Sequence, residues 1–153
     1  NRITAIIFEK LFSTITGKNI AILGFSFKSE TNDTRESPAI EICQQLLREG
    51  ANLKIYDPKV SENQIVEDLN SQDNSEKNSL FGSWKFTNDV YEAIEDTDAL
   101  VILTEWNQFR ALDMKKIKKL LKSPNIIDLR NIYNGRELRD FGFNYYSLGR
   151  GFD

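Results

Sequence analysis

The sequence contains no histidine and only one cysteine, Cys43. Without histidine, the chain has no Ser-His-Asp triad, no Cys-His pair and no histidine-ligated zinc site. A lone cysteine forms no internal disulfide, which suits a reducing compartment, and we expect a cytoplasmic protein. We interpret Cys43 as a packed core residue, because a cysteine without an activating base is normally inert.

Long apolar runs are also missing, since none approaches the ~18 residues that span a bilayer. The 153 residues carry 20 Lys and Arg against 23 Asp and Glu, for a net charge of −3. An acidic chain offers no broad electrostatic surface for nucleic acid, and the lysines of 115–122 are interpreted as the solvated face of a helix. We therefore expect neither a membrane nor a nucleic-acid partner.

Short apolar runs alternate with amphipathic segments along most of the chain. Ser37 and Pro38 are typical of a helix start, as N-cap and first helical residue. With this helix, 37–50, the patterns predict helices at 90–95, 113–122 and 136–141, and strands at 19–25, 51–56, 99–103, 125–129 and 143–148. This order predicts an α/β fold: a doubly wound, mostly parallel, Rossmann-like sheet with helices on both faces.

Two segments stand outside this alternation. Residues 3–12 have helical spacing, and we interpret them as the last turns of a helix that arrives from outside the chain. The start, Asn1-Arg2-Ile3-Thr4, has neither an initiator methionine nor a signal pattern, so we expect an excised piece of a longer protein. Residues 61–83 are polar, and we expect them to form an exposed, irregular excursion.

Ligands of open α/β sheets bind beyond the carboxyl ends of the strands. Three cations lie in loops that leave predicted strands, namely Lys28, Arg35 and Arg130. Lysine can bind a diphosphate as a point charge and arginine as a bidentate fork, so a nucleotide diphosphate is a reasonable ligand. The alternative is that all three cations are solvated surface charges. The first loop lacks the G-x-G-x-x-G pattern, so this domain by itself should not hold a nicotinamide cofactor in the usual way.

Other side chains near the strand ends leave their roles open. Trp106 is either a binding platform or a cover of the core. Asp33, Asp57 and Asp128 approach or follow strand ends, but no spacing among them indicates an acid/base pair.

Six ordered motifs resemble the C-terminal domain of UDP-glucose 6-dehydrogenases, in the family that also includes GDP-mannose dehydrogenases. They are Gly24-Phe25-Ser26-Phe27-Lys28, Thr31-Asn32-Asp33-Thr34-Arg35-Glu36-Ser37-Pro38, Tyr56-Asp57-Pro58-Lys59-Val60, Thr104-Glu105-Trp106, Asp128-Leu129-Arg130-Asn131 and Tyr145-Tyr146-Ser147-Leu148-Gly149-Arg150.

The resemblance implies a two-step, NAD-dependent oxidation of UDP-glucose to UDP-glucuronate. It also implies that an N-terminal NAD-binding domain and the catalytic cysteine lie outside this chain, which then holds no catalytic residue and is inactive alone. Residues 1–16 would be the end of an inter-domain helix and 17–153 the UDP-sugar-binding domain. The complete enzyme would be a homo-oligomer.

Carried over position by position, the resemblance implies that Phe27, Lys28 and Arg130 contact the nucleotide sugar and that Arg35 contacts NAD. Asn107 stands where many relatives have an acidic residue, and Asn131 stands where some have a second arginine. Two alternatives stay open: the same domain of a GDP-mannose or UDP-N-acetylhexosamine dehydrogenase, and a module that mainly assembles oligomers.

Overall fold

The computed structural model describes residues 8, 9, 11, 13–70 and 82–148. The strands are β1 (Asn19–Leu23), β2 (Asn52–Tyr56), β3 (Ser83–Phe86), β4 (Ala99–Ile102), β5 (Asn125–Asp128) and β6 (Asn144–Ser147). The helices, numbered within these residues, are α1 (Pro38–Arg48), α2 (Glu62–Asn70), α3 (Val90–Ile94), α4 (Asn107–Arg110), α5 (Met114–Leu120) and α6 (Gly135–Asp140).

The described strands form one parallel sheet of six strands in the order β3-β2-β1-β4-β5-β6. Strand β1 lies in the middle of the sheet; β2 and β3 extend the sheet on one side of it, and β4, β5 and β6 extend it on the other. The doubly wound α/β prediction is confirmed. Because every pairing is parallel, all the strands end at the same edge of the sheet, and the loops that follow them meet there.

Each face of the sheet carries its own apolar cluster. Helices α1 and α2 cover one face, and α3 to α6 contribute to the cluster on the other. Successive residues of β1 alternate between the two, Ile20 and Ile22 in one cluster and Ala21 and Leu23 in the other, as the pleat requires. Cys43 lies fully buried in the first cluster, and burial raises the pKa of its thiol well above the ordinary value. It is a packed residue, as predicted.

The expectation for residues 61–83 was wrong at both ends. Glu62–Asn70 forms α2, which buries Ile65 and Leu69, and Ser83–Phe86 forms β3 beside β2. Only three of its nine residues are apolar, and one of them, Val66, is exposed, so the periodicity is too weak to separate α2 from a polar loop. The strand β3 has only four residues, none of them fully buried, so its pattern was equally weak. Residues 71–81 lie outside the described residues.

Two further differences concern short elements. Helix α4 was not predicted, because a single turn carries almost no periodic signal. Most of the helix predicted at 3–12 lies outside the described residues; residues 8, 9 and 11 are helical, and Phe8 is buried in the first apolar cluster.

Gly24 lets the ends of β1 and β4 approach each other closely. Its φ is +98°, a left-handed conformation, and a Cβ atom built on it would lie 2.5 Å from the Thr104 Cβ. The same Cβ would lie 2.7 Å from the Thr104 backbone nitrogen, which cannot move without shifting β4. Both constraints require glycine at the point where the first loop leaves the sheet.

We expect Gly24→Ala to lower the free energy of unfolding by about 3 kcal/mol, combining left-handed strain with overpacking. Gly17→Ala is the matched control, because Gly17 has φ +81° but a Cβ atom added there would meet nothing within 4 Å. The control should lose only about 1 kcal/mol. Urea unfolding of both variants gives the comparison, and equal losses would show that the contact with Thr104 is unimportant.

Candidate functional site

Asp57 organises three loops at the carboxyl edge of the sheet. Its Oδ2 accepts the backbone N–H groups of Phe25 and Ser26 at 2.7 and 3.0 Å and the indole Nε1–H of Trp106 at 3.3 Å. Its Oδ1 accepts the backbone N–H groups of 59 and 60 at 2.8 and 3.0 Å. Asp57 is only 3% exposed, so its charge is balanced by these donors rather than by water.

Buried hydroxyls fix the start of the loop that follows β1. The Thr104 Oγ1 donates to the Ser26 carbonyl at 3.0 Å, and the Ser37 Oγ donates to the Phe25 carbonyl at 2.9 Å. Ser37 also accepts the Ala39 N–H, so the same side chain caps α1. The backbone is therefore held on both sides just before Phe27 and Lys28.

Phe27 and Lys28 extend from this fixed backbone into solvent. The Phe27 ring is 44% exposed, which is uncommon for a large apolar side chain, and Lys28 is also exposed. The Phe27 N–H donates to the Asp33 carbonyl at 2.7 Å, and this bond closes the loop. An exposed ring beside a cation on a fixed backbone suits the binding of a flat, anionic ligand.

Asp128 plays the corresponding role at the end of β5. It is fully buried, and its Oδ1 accepts the Arg130 N–H at 3.1 Å. Its Oδ2 accepts the Tyr133 N–H at 3.0 Å and the Tyr145 hydroxyl at 2.7 Å. Burial, with Asp128 next in importance, raises the pKa of Tyr133 well above its ordinary value. Asn131 has φ +56°, a conformation that asparagine tolerates better than most residues.

Glu105 joins the loop after β1 to the loop after β5. Its Oε1 lies 3.0 Å from the Arg130 Nη2, and its Oε2 accepts the Ser29 N–H at 3.4 Å. Ser29 follows Lys28 directly, so the structure brings the Lys28 loop and Arg130 together on either side of one carboxylate. The loops after β1, β4 and β5 thus share one rim.

Arg35 lies elsewhere on the same loop and contacts a different carboxylate. Its Nε and Nη2 donate to the two oxygens of Asp33 at 3.0 and 2.8 Å, and its side chain is 88% exposed. The Arg35 side chain, and then its backbone N–H, lower the pKa of Asp33 to about 2. Among the described residues, no hydrogen bond or ion pair joins Arg35 to Glu105, the carboxylate that contacts Arg130.

The alternative roles of Trp106 are now distinguished. Its ring is 4% exposed and belongs to the second apolar cluster, so Trp106 covers the core and binds Asp57. The basic helix α5 also has structural contacts: the Lys116 Nζ lies 4.1 Å from the Tyr91 ring centroid, and the Lys118 Nζ donates to the Phe141 carbonyl.

Sequence reasoning missed three residues at this edge, namely Asp57 as an acceptor, Glu105 as a link and Lys59 as a further cation. Lys59 lines a cleft of about 400 Å³ with Glu30, Thr31 and Asn32. The available signal for Asp57 was an aspartate directly after a buried strand and before Pro58. Aspartates at these strand ends accept loop backbone N–H groups, a role that a pattern of acid/base pairs does not reveal.

Residues 21–135 match the profile of the UDP-glucose/GDP-mannose dehydrogenase family, UDP binding domain. The chain belongs to this family. The match begins in β1 and extends into α6, so it includes the loops that carry Lys28, Glu105 and Arg130.

Individual relatives agree with the family assignment. The chain is 41% identical over 163 residues to UDP-glucose 6-dehydrogenase 4 of Arabidopsis thaliana, covering 100% of this chain and 34% of the relative. It is 45% identical over 152 residues to UDP-glucose 6-dehydrogenase of Pongo abelii, covering 97% and 31%. The chain thus spans about a third of the length of these relatives.

A solved structure supports the fold as well. The NDP-N-acetyl-D-galactosaminuronic acid dehydrogenase from Methanosarcina mazei Go1 superposes with a TM-score of 0.74 at 25% identity, over 98% of this chain and 28% of that one. In the part of the present chain that the structure describes, none of the helices has the length and apolar character needed to span a membrane.

We expect Asp57→Asn to destabilise the chain by about 3 kcal/mol, because the new amide N–H₂ opposes backbone N–H donors that stay buried. Asp113→Asn is the matched control. Asp113 caps α5 by accepting the N–H groups of Lys115 and Lys116 in an exposed position, and asparagine is an equally good N-cap. Urea unfolding should show a change below about 0.5 kcal/mol for the control. A similar change for Asp57→Asn would mean that the five contacts contribute little.

The Asp33 carboxyl should titrate near pH 2 in carbon-detected NMR. Because its folded pKa is below the ordinary 3.8, the Asp33–Arg35 contribution to stability is complete above about pH 4–5 and is lost as the pH falls towards 2. Arg35→Ala should raise the titration midpoint of Asp33, but not all the way to the ordinary 3.8, because the backbone N–H of residue 35 still donates to the Asp33 carboxylate. Arg136→Ala, which removes an exposed arginine from α6, should leave it unchanged; an unaltered midpoint in Arg35→Ala contradicts the assignment.

Proposed function

We propose that this chain is the UDP-sugar-binding C-terminal domain of a cytoplasmic, NAD-dependent UDP-glucose 6-dehydrogenase. Residues 17–153 form the domain, and 1–16 form the end of an inter-domain helix. The relatives at 41% and 45% identity carry the name UDP-glucose 6-dehydrogenase, which favours UDP-glucose as the substrate. In the complete enzyme, which we expect to be a homo-oligomer, UDP-glucose is oxidised to UDP-glucuronate.

The single observation that carries the proposal is the arrangement around Glu105. It places Arg130 and the Lys28 loop on one rim, at the carboxyl edge of a parallel sheet. Arg130 presents a planar fork of N–H donors to phosphate oxygens, and Lys28 supplies a mobile point charge. The exposed Phe27 ring offers apolar area beside them. We assign these three residues to substrate binding.

Within the described residues, the loop that follows β1 does not offer the glycine backbone that usually cradles a dinucleotide. Gly24 is followed by the buried Phe25 and Ser26, whose N–H groups are bound to Asp57 and are therefore not free for a pyrophosphate. We propose that NAD is held mainly by another domain and that Arg35 contacts it from this side. When bound, NAD accepts the hydride. The groups of this chain bind and orient the nucleotide sugar.

We expect saturable NMR shifts around Lys28 and Arg130 when the chain is titrated with UDP-glucose. Lys28→Ala and Arg130→Ala should each weaken binding about 10- to 100-fold, the range for a lost charge-assisted hydrogen bond. Lys119→Ala and Arg136→Ala are the matched controls, because each removes an exposed cation of the same type from a helix. Neither control should change the affinity.

Parallel titrations with GDP-mannose, a UDP-N-acetylhexosamine and NAD separate the alternatives. Stronger binding of another nucleotide sugar would reassign the substrate within the family. If Lys28→Ala and Arg130→Ala keep full affinity while surface changes disrupt oligomers, the domain mainly serves assembly. NADH production by this chain alone would contradict the placement of the catalytic groups in another domain.

A further inference from the structure

We propose that Glu105 is a positioning residue for nucleotide-sugar binding. Its carboxylate holds the Arg130 guanidinium and the Lys28 loop in the arrangement that receives the diphosphate. The inference rests on the proposed function and adds a role to a residue that carries the wrong charge to bind a phosphate itself.

The backbone around Glu105 is fixed on both sides. Thr104 is fully buried and donates to the Ser26 carbonyl, and Trp106 is buried and donates to Asp57. The Glu105 carbonyl accepts from the Arg110 Nη1 at 3.2 Å, and the same Nη1 donates to the Asn107 Oδ1 at 2.9 Å. Glu105 therefore projects from a rigid segment, so its carboxylate has a defined place.

Each oxygen of that carboxylate faces a different loop. Oε1 pairs with Arg130 at 3.0 Å, and Oε2 accepts the Ser29 N–H at 3.4 Å. The two side chains of the pair are partly shielded, at 34% exposure for Arg130 and 27% for Glu105. The ion pair joins the Arg130 Nη2 to Glu105, and none of the hydrogen bonds found among the described residues uses the Arg130 Nη1 or Nε, so these N–H groups can meet a ligand.

Two opposing effects decide what Glu105 does for binding. A negative charge near a diphosphate is repulsive. Against this, a guanidinium held in advance loses less side-chain freedom when the ligand arrives. Because the repulsion acts in a partly solvated rim where water screens it, we expect the positioning effect to be the larger.

The test compares Glu105→Ala with Glu105→Gln in UDP-glucose titrations of the chain. Glu105→Ala removes both contacts and should weaken binding about fivefold, the effect of freeing one long side chain. Glu105→Gln should restore part of the affinity, because it keeps the size of the side chain and an oxygen that can face the Ser29 N–H and Arg130, but loses the charge of the ion pair. Glu137→Ala, which removes an exposed glutamate from α6, should have no effect.

The UDP-glucose affinity of the double variant, Glu105→Ala with Arg130→Ala, separates a positioning role from a merely structural one. If Glu105 acts through Arg130, adding Glu105→Ala to Arg130→Ala should cause a smaller loss than it causes in the wild type, because only the contact with Ser29 is left to remove. Fully additive losses would overturn the proposal. So would tighter binding by both Glu105 variants, since the carboxylate would then compete with the ligand.

The two proposals fail in different ways. If the wild-type chain shows no saturable binding, the proposed binding function fails and the role of Glu105 fails with it. If Arg130→Ala weakens binding while Glu105→Ala binds like the wild type, only the positioning role is overturned.

Discussion

The hydrogen bonds that the Asp57 carboxylate accepts fix the arrangement of the loops at the carboxyl edge of the sheet. Five N–H groups from three loops converge on this carboxylate, and it is almost completely buried. A buried charge is tolerated only when it is fully hydrogen-bonded, and a buried N–H needs an acceptor. Both requirements are met by the same side chain, so the ends of β1, β2 and β4 are fixed relative to one another.

At this rim the buried anions hold the loop backbone and the exposed cations face solvent. Asp57 and Asp128 are buried and accept hydrogen bonds from loop backbone. The exposed cations lie at or just beyond these bonds: Lys28 two residues after Ser26, and Arg130 at the N–H that Asp128 accepts. Glu105 stands between the two groups, partly buried and in contact with both loops. A ligand anion would thus meet cations whose backbone positions are settled before it arrives, which lowers the entropy lost on binding.

The opposite edge of the sheet carries a row of hydrogen-bonded asparagines beside the Asp98 carboxylate, which accepts the Asn19 N–H at 2.8 Å. Four strands begin with asparagine, and the side chains pair across the sheet: Asn52 donates to Asn19, Ser83 to Asn52 and Asn144 to Asn125. These groups satisfy one another in line with the strand register. The loops that carry Lys28, Glu105 and Arg130 lie instead at the carboxyl edge, which is where open parallel sheets bind their ligands.

The sequence by itself determined the parallel α/β fold, the buried Cys43 and the family resemblance, because apolar runs, a capped helix and loop motifs are all local patterns. It did not predict α2 and β3, whose apolar residues are too few for a periodic signal. Only the tertiary structure decided that Trp106 is buried, that Gly24 faces Thr104, and that Glu105 joins Ser29 to Arg130. These are contacts between loops far apart in the chain, and they exist only once the parallel sheet has brought its strand ends to one edge.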